Sequence, residues 1–564
     1  MKKNTYVGKG IAGIPELMVT PRLAGFEKIV NDNYRPLSLV MFAAEYQFFG
    51  ANPFIGHLFN LLFFAGCVVL LFLFTDRLFQ GKQTGIALIA ALLFALHPIH
   101  TEVVANIKSR DEIMCFFFAL ASLITFLKFA DTGKPLKLWM GAVLLMLAFL
   151  SKENVISFLV IIPVVFLVYY SCQRNRRLWI ISVSCLVSLS FLFIRYEVLK
   201  GHDSSAIPFL DNPLVTAHYF SERLPTAIFV LGKTLKLLVV PYPLVCDYSY
   251  NSIPVVGWGN LWVLCSLAVY VSMLVLVIRR FLKKSPDPLT FGIIFYFANL
   301  ALFSNILFTV YSEMAERLMF FASAGFCIML AALIFEGAAR VGVILNDKLP
   351  VKLLYLLVPV SLVFAVITFN RNGDWKSNYD LFSTDIKKMP ENARLWHSYG
   401  SILLFPQAEI MDDTVDATQR TKDGLAAWYR SIAIYNDNFK VHLDLGNYYR
   451  GNRQYDSAEK QLKEAYRLLP GSPVVVSDLG YVYFCEQKYT DALTLAKSAM
   501  IKDNKNALIY NNIGMCYVQM QVYDSALQSF KRTLQLDPEN AMAKEYIGKL
   551  TLELKNRDTL KMNK

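Results

Sequence analysis

The chain has 564 residues, 55% of them hydrophobic, and carries 56 Lys and Arg against 44 Asp and Glu, a formal net charge of +12. It is too long for one soluble domain and too apolar for two or three, and its basic residues sit in dispersed loops, which excludes a nucleic-acid-binding face. Nine cysteines, scattered singly and without a CxxC, give neither a disulfide framework nor a zinc site.

Residues 1–53 lack the continuous apolar core of a secretory signal and are expected to form an outer-face loop or interfacial segment. From 54 to 369 the apolar residues come in blocks of roughly 15 to 25, the length that crosses hydrocarbon. Membrane helices are predicted at 54–76, 84–98, 112–128, 138–150, 155–171, 178–196, 258–280, 289–310, 318–338 and 351–369, about ten in all. The stretch 226–245 contains Lys233, Lys236, Pro241 and Pro243 and reads as interfacial or re-entrant. One set of alternate loops, from Arg77 and Lys82 to Arg340, Lys348 and Lys352 and including Lys284, holds fifteen basic residues against five acidic ones. The positive-inside rule makes that side cytoplasmic. The other side, periplasmic or lumenal, then receives residues 1–53, the stretch HPIHTEVVANIKSRDE (97–112), the loop 197–257 and everything beyond 370. An integral membrane protein is expected, in the inner (cytoplasmic) membrane if the source is bacterial, with its working face outside.

A linker is expected at 370–390, and repeats follow over 391–556. Leu445-Gly446, Leu479-Gly480, Ile513-Gly514 and Ile547-Gly548 recur every 34 residues, in step with Tyr449, Tyr483 and Tyr517 and with Ala458, Ala492 and Ala526. This is the tetratricopeptide pattern, in which small residues let two helices approach and aromatics fill the groove between them. A degenerate first unit begins at Trp396, Tyr399 and Gly400 and resumes near Ala426, with about 14 extra residues around PQAEIMDDTVDATQ between its helices. Residues 557–564 form a polar tail. The fold class is therefore all-α, a polytopic membrane helix bundle followed by a tetratricopeptide α-solenoid. Such arrays bind extended peptides or partner proteins; a spacer or a self-association surface is the plainer alternative.

Four charged clusters stand where apolar blocks meet the outer side: Tyr34-Arg35-Pro36-Leu37, residues 97–112, Ser151-Lys152-Glu153-Asn154, and Glu313 with Glu316-Arg317. Ionisable groups at membrane depth cost several kcal/mol unless paired or wetted, so several on one side suggest a polar pocket. Within 97–112, Ser109-Arg110-Asp111-Glu112 also has the form of a capping box, with Ser109 accepting from the N3 amide and Glu112 reaching back. His97 and His100 flank Pro98 without a third metal donor at a suitable spacing. A lipid-linked phosphate would want Arg or Lys, and an acceptor hydroxyl a carboxylate base. These residues alone do not separate chemistry on a lipid-linked phosphate from proton-coupled transport or a passive anchor.

The succession YRPLS, NPFIGHLFN, HPIHTEVVANIKSRDE, LSKEN, PYPLVCDYSYNSIP, SNILF and MAERLMFFASAGF, followed by the repeats, resembles the transmembrane and tetratricopeptide repeat containing O-mannosyltransferase family, in its compact bacterial form. The resemblance runs from about residue 10 through nearly the whole chain. It implies a C-type membrane glycosyltransferase fold over 54–369 and transfer of a sugar, mannose, from a polyprenyl-phosphate donor to Ser or Thr of outer-face proteins, with the acceptor held by the repeats. By the same resemblance, Asp111, Glu112 and Glu153 are expected to be catalytic, and Arg35, His97, His100, Arg110, Lys152, Glu316 and Arg317 to bind substrate. No cofactor is required by it, with a divalent cation as the alternative. The expected partners are the lipid-linked donor, the acceptor protein and membrane lipid, and no nucleic acid. Family members begin with a membrane helix and an outer loop bearing an acidic pair, whose Asp is the expected base. The first acidic residue here is Glu16. The pair is expected upstream of Met1, with a natural truncation as the alternative. The competing reading is a membrane-anchored scaffold without catalysis.

Overall fold

The computed structural model describes residues 4–26, 33–201, 207–217, 219–283, 287–340, 351–405, 416–502 and 504–562. Helices are the regular secondary structure of these residues, with no strand among them, and the chain divides between Leu395 and Trp396 into two compact units. Lys284, Lys348 and the start of the expected insert, at 406–415, lie outside the described residues.

In the first unit, helices start where the sequence supplies a proline and a cap. Pro36, Pro53, Pro135 and Pro288 each open a helix, where a missing N–H costs nothing. Asn52 and Asp287 accept from the amides of Phe54 and Thr290, each at 3.0 Å. Five helices are long and apolar enough to span a membrane: Pro53–Leu78, Ile107–Thr132, Arg174–Leu199, Leu261–Leu282 and Glu316–Ala338. A sixth arises if the pair Thr84–Leu96 and Pro98–Ala105, bent by 51°, is one span. The bend falls at His97, whose extended backbone (φ −67°, ψ 120°) is what a following proline demands. Pro135–Ser151, Glu153–Tyr169 and Pro288–Phe303 are apolar but shorter, and Phe220–Val239, with Pro225 inside it, occupies the stretch read as interfacial.

Ile107–Thr132 and Glu316–Ala338 are central, burying 72% and 78% of their apolar windows, whereas Leu261–Leu282 buries 11% and faces outward. In hydrocarbon the hydrophobic effect does not drive helices together, so contact depends on close approach. Gly292 and Gly325 supply it: a Cβ on either would come within 2.5 Å of the facing helix backbone. At one end of the helices Arg77 and Tyr170 both bind Asp131, Arg176 Nη1 donates to the carbonyls of Ala130 and Asp131, and Arg280 pairs with Asp287 at 3.3 Å. These belong to the basic set of loops. The charged clusters of the other set of loops gather separately, as described below.

The stretch 370–390 is not a free linker. Its charges, which look like those of a solvated tether, pair inward. Arg371 forks onto Asp385 at 2.7 and 3.0 Å, Lys388 binds Asp374 at 2.9 Å, and Asp385 accepts from the Cys246 amide at 2.7 Å. Asn392 then holds Asp247 and Ser252, and the amide of Ala393 bonds the carbonyl of Tyr250.

The second unit stacks helix pairs. Gly446 sits against Leu462 and Gly514 against the ring of Phe530, while Ala458 and Ala526 are fully buried. Between the helices of each pair one residue takes a left-handed backbone: Arg453 (φ 59°), Gln487 (φ 61°) and Gln521 (φ 60°). Each turn is closed by the next amide bonding back to a repeat tyrosine, at Tyr449, Tyr483 and Tyr517. In the degenerate first unit Gly400 lies against Trp428, whose indole N–H donates to the His397 carbonyl at 3.0 Å. Its second helix, Ala417–Ile434, has 18 residues against 14 in Tyr455–Leu468, so part of the insert extends a helix. The expected polar tail is helical too, as Ala541–Met562 runs into it.

Candidate functional site

Ile107–Thr132 starts under an Asn106 cap, whose Oδ1 accepts from the Lys108 amide at 3.1 Å. The capping box expected at Ser109 to Glu112 is therefore not formed: Ser109 makes no side-chain cap bond. Starting one turn earlier frees Glu112 for a stronger partner, and it takes Lys152 on Oε1 and Asn154 Nδ2 on Oε2 at 2.8 Å. Asp111 Oδ2 receives two guanidiniums, Arg22 Nη2 at 3.1 Å and Arg35 Nη1 at 3.0 Å, while Oδ1 accepts from the Glu112 amide. Arg35 also forks onto Glu153 through Nε at 2.9 Å and Nη2 at 2.5 Å. Burial opposes charge on Arg35, but the Glu153 and Asp111 carboxylates outweigh it and hold the guanidinium above its ordinary range.

A third pair completes the cluster. Glu102 Oε1 accepts from Arg317 Nη1 at 2.7 Å and Oε2 from the Arg317 amide at 3.0 Å, so one carboxylate fixes both backbone and side chain. Lys108 lies electrostatically among Arg22, Arg317, Asp111 and Arg35. Exposure separates the roles. Arg317 and Glu153 keep 37% and 36% of their side chains accessible, against 4% for Asp111 and 1% for Glu112. The accessible members can meet a ligand, and the buried carboxylates hold the cations in place.

The sequence profile of the family described as dolichyl-phosphate-mannose-protein mannosyltransferase matches residues 36–194, and that of a tetratricopeptide repeat matches 507–540. Protein O-mannosyl-transferase F38B6.6 of Caenorhabditis elegans is 29% identical over 381 residues, covering 66% of this chain and 51% of its own. Protein O-mannosyl-transferase TMTC3 of Mus musculus is 27% identical over 476 residues, covering 79% of this chain and 49% of its own. The chain is similar, at under 30% identity, to proteins named O-mannosyl-transferases. It spans about half the length of these curated relatives. The crystal structure of YrrB, a tetratricopeptide protein, is similar at 19% identity with a TM-score of 0.26, covering 31% of this chain and 84% of that one.

The expected site residues do not all converge. Arg35, Asp111, Glu112, Lys152, Glu153 and Arg317 do. Arg110 points elsewhere: fully buried, it binds Glu45, Asn60 Oδ1 at 2.8 Å and the Gly56 carbonyl at 2.7 Å, and it stacks on Phe42. Every nitrogen is committed to protein, so it braces the Pro36–Phe49 helix against its neighbours. His97 donates from Nε2 to the Leu238 carbonyl at 2.8 Å and accepts at Nδ1 from Ile99. His100 reaches Ser323 Oγ at 2.8 Å among the rings of Phe64, Phe94 and Phe320. Both histidines are core pins. Glu316 Oε1 accepts from the Val245 amide at 2.6 Å and the Tyr248 hydroxyl at 2.9 Å, tying down the loop PYPLVCDYSYNSIP.

A divalent cation does not fit this arrangement. Among the described residues no three His, Cys, Asp or Glu side chains converge as a metal site, and each clustered carboxylate already carries an Arg or Lys. Sequence reasoning missed Arg22 and Glu102. Glu102 had a signal, as the third carboxylate of HPIHTEVVANIKSRDE. Arg22 had none, being an isolated basic residue 89 positions from its partner Asp111.

Proposed function

We propose that this chain is an outer-face glycosyltransferase that moves a sugar, mannose, from a polyprenyl-phosphate donor to Ser or Thr hydroxyls of proteins held by the tetratricopeptide repeats. The observation that supports it is the meeting of Arg22, Arg35, Lys152 and Arg317 with four carboxylates drawn from separate parts of the chain. In the reaction the acceptor oxygen bonds to the anomeric carbon, the bond from that carbon to the phosphate oxygen breaks, and its electron pair leaves with the phosphate. Charge therefore grows on the phosphate, where fixed cations act most strongly. Arg317, accessible and oriented by Glu102, is assigned to that phosphate. Glu153, the accessible carboxylate, is assigned to the acceptor hydroxyl and its proton. Asp111 and Glu112 position Arg22, Arg35 and Lys152.

Purified protein in lipid nanodiscs, given polyprenyl-phosphate mannose and a Ser/Thr-rich acceptor, should form mannosylated product. Arg317→Ala should lower the rate by roughly 100-fold or more, the usual effect of removing one donor to a developing anion. Full activity in Arg317→Ala would refute the site. A scaffold would show no transfer in the wild type and would keep its protein partners when Arg317 is changed.

A further inference from the structure

On the side of its basic loops the membrane unit holds cations that no carboxylate answers. Where the helices Pro53–Leu78 and Ile107–Thr132 finish and Pro135–Ser151 and Arg174–Leu199 begin, Arg77, Lys82, Lys128, Lys134, Lys137, Arg174, Arg176 and Arg177 stand against Asp76 and Asp131, eight basic residues and two acidic ones. Both acids are spent: Asp131 binds Arg77 and Tyr170, and Asp76 accepts the Thr84 hydroxyl at 2.6 Å. Widening the count does not cancel the excess, because the neighbouring helix ends add Arg279, Arg280, Lys283 and Arg340 against Asp287 and Glu336. Arg176 gathers the corner. Its Nη1 closes onto the Ala130 and Asp131 carbonyls at 2.9 and 2.7 Å, and a Cβ on Gly133 would come within 2.9 Å of its guanidinium. Arg174 and Arg177 arrive with it, and Lys134 and Lys137 follow directly after Gly133. Among the described residues the side chains of Lys134, Lys137 and Arg174 make no ion pair or hydrogen bond, and those of Lys134 and Arg174 are exposed.

Basic loops fix which way a membrane protein inserts, and for that purpose solvated lysines anywhere along them suffice. Two further features mark this corner as a seat. Trp139 and Trp179 are each 60% exposed and stand four and five positions beyond the first residues of their helices, about 6 to 8 Å deeper along the axis. That is the level at which an indole lies between headgroups and acyl chains. Neither helix start carries a side-chain cap, at Lys134 or at Gln173, so the first-turn amides of both are turned towards the same cations. We propose that this corner seats an anionic phospholipid, with Lys134, Lys137 and Arg174 on its phosphodiester and Trp139 and Trp179 against its glycerol backbone and upper acyl chains. The depth of the tryptophans chooses a lipid over a soluble anion, because only an amphiphile meets both layers at once. The excess of charge chooses an anionic headgroup over a zwitterionic one, whose own ammonium the cations would repel. The seat lies at the end that the basic loops assign to the cytoplasmic leaflet, and it stands apart from the transfer reaction proposed above.

Native mass spectrometry of the full chain in neutral detergent, titrated with phosphatidylglycerol or phosphatidylcholine, reads the lipids retained and their affinity. The wild type should hold phosphatidylglycerol more tightly, and equal retention of the two lipids would overturn the proposal. Lys134→Gln combined with Lys137→Gln and Arg174→Gln should weaken the tightest-bound phosphatidylglycerol at least about tenfold, since each basic residue at an anionic surface is worth several-fold in affinity. Lys134→Arg combined with Lys137→Arg should keep it. These side chains have no internal partner, so the melting temperature in lipid-free detergent should not change. Lys82→Gln combined with Arg279→Gln and Lys283→Gln removes as much charge from the same end of the unit and serves as the comparison. An equal loss there would show a diffuse attraction and overturn the seat, as would unchanged binding in the first triple variant. Inorganic phosphate is the probe without a tail. Trp139→Ala combined with Trp179→Ala should weaken phosphatidylglycerol several-fold and leave phosphate binding as it was, and phosphate held as tightly as the lipid would overturn the assignment to a phospholipid.

Discussion

Glu102 is 3% exposed and spends both oxygens on one residue, which makes Arg317 a cation with a fixed address. Glu102→Gln keeps the shape but turns a charge-assisted pair into a neutral one, a difference of about 1 to 2 kcal/mol. If Arg317 acts on the departing phosphate, transfer should fall about tenfold while KM for the acceptor holds, as measured by steady-state kinetics. Glu313 makes the opposite case. Both its oxygens are buried with no partner among the described residues, and burial pushes its carboxyl up to about 8. Its unfolded form ionises near 4.5 while the folded form stays neutral. Stability from this group is thus complete below about pH 4.5 and is lost as pH rises towards 8. Glu313→Gln should flatten the fall in melting temperature between pH 5 and pH 8; parallel curves for the two proteins would show that Glu313 is not the group responsible.

At the scale of elements, the loop PYPLVCDYSYNSIP is held from two sides, by Glu316 through Val245 and Tyr248 and by Asp385 through Cys246. Tyr248→Phe removes one buried hydrogen bond and leaves Glu316 short of a donor, so thermal unfolding should report a loss of about 1 to 3 kcal/mol. How far such features could be read beforehand depends on range. Apolar blocks and the 34-residue repeat are local periodicities, and both the all-helical architecture and the helix pairs follow from them. The polar pairings are not local: Arg35 meets Glu153 across 118 positions and Arg317 meets Glu102 across 215. Sequence could mark Arg35, Lys152 and Arg317 as charges at the ends of apolar blocks, but not say which carboxylate each would find. It also misled at short range. SRDE has the spelling of a capping box, yet a buried glutamate beside Lys152 prefers the ammonium to its own backbone. Arg110, adjacent to Asp111, turns to Glu45 because consecutive residues on a helix leave in different directions.

At the scale of the whole molecule, the division between Leu395 and Trp396 assigns the network of Arg371, Asp374, Asp385, Lys388 and Asn392 to the membrane unit. A chain ending at Leu395 should therefore stay monodisperse in detergent and melt within a few degrees of the full protein, whereas one ending at Phe369 should melt lower by several, because it strips the partners of Cys246 and Asp247. Equal melting of the two truncations would show that the network contributes nothing. The repeat unit carries a different lesson in its turns. Arg453, Gln487 and Gln521 take a left-handed backbone that glycine would adopt without strain, and each does so at the same count from its tyrosine carbonyl. The pitch of the array is thereby encoded in main-chain geometry, like the teeth of a rack, and side chains at the turn are free to drift without altering it. One residue inserted there would not simply lengthen a loop: it would rephase every later helix pair, so this protein can diversify what its repeats display far more readily than how they are spaced.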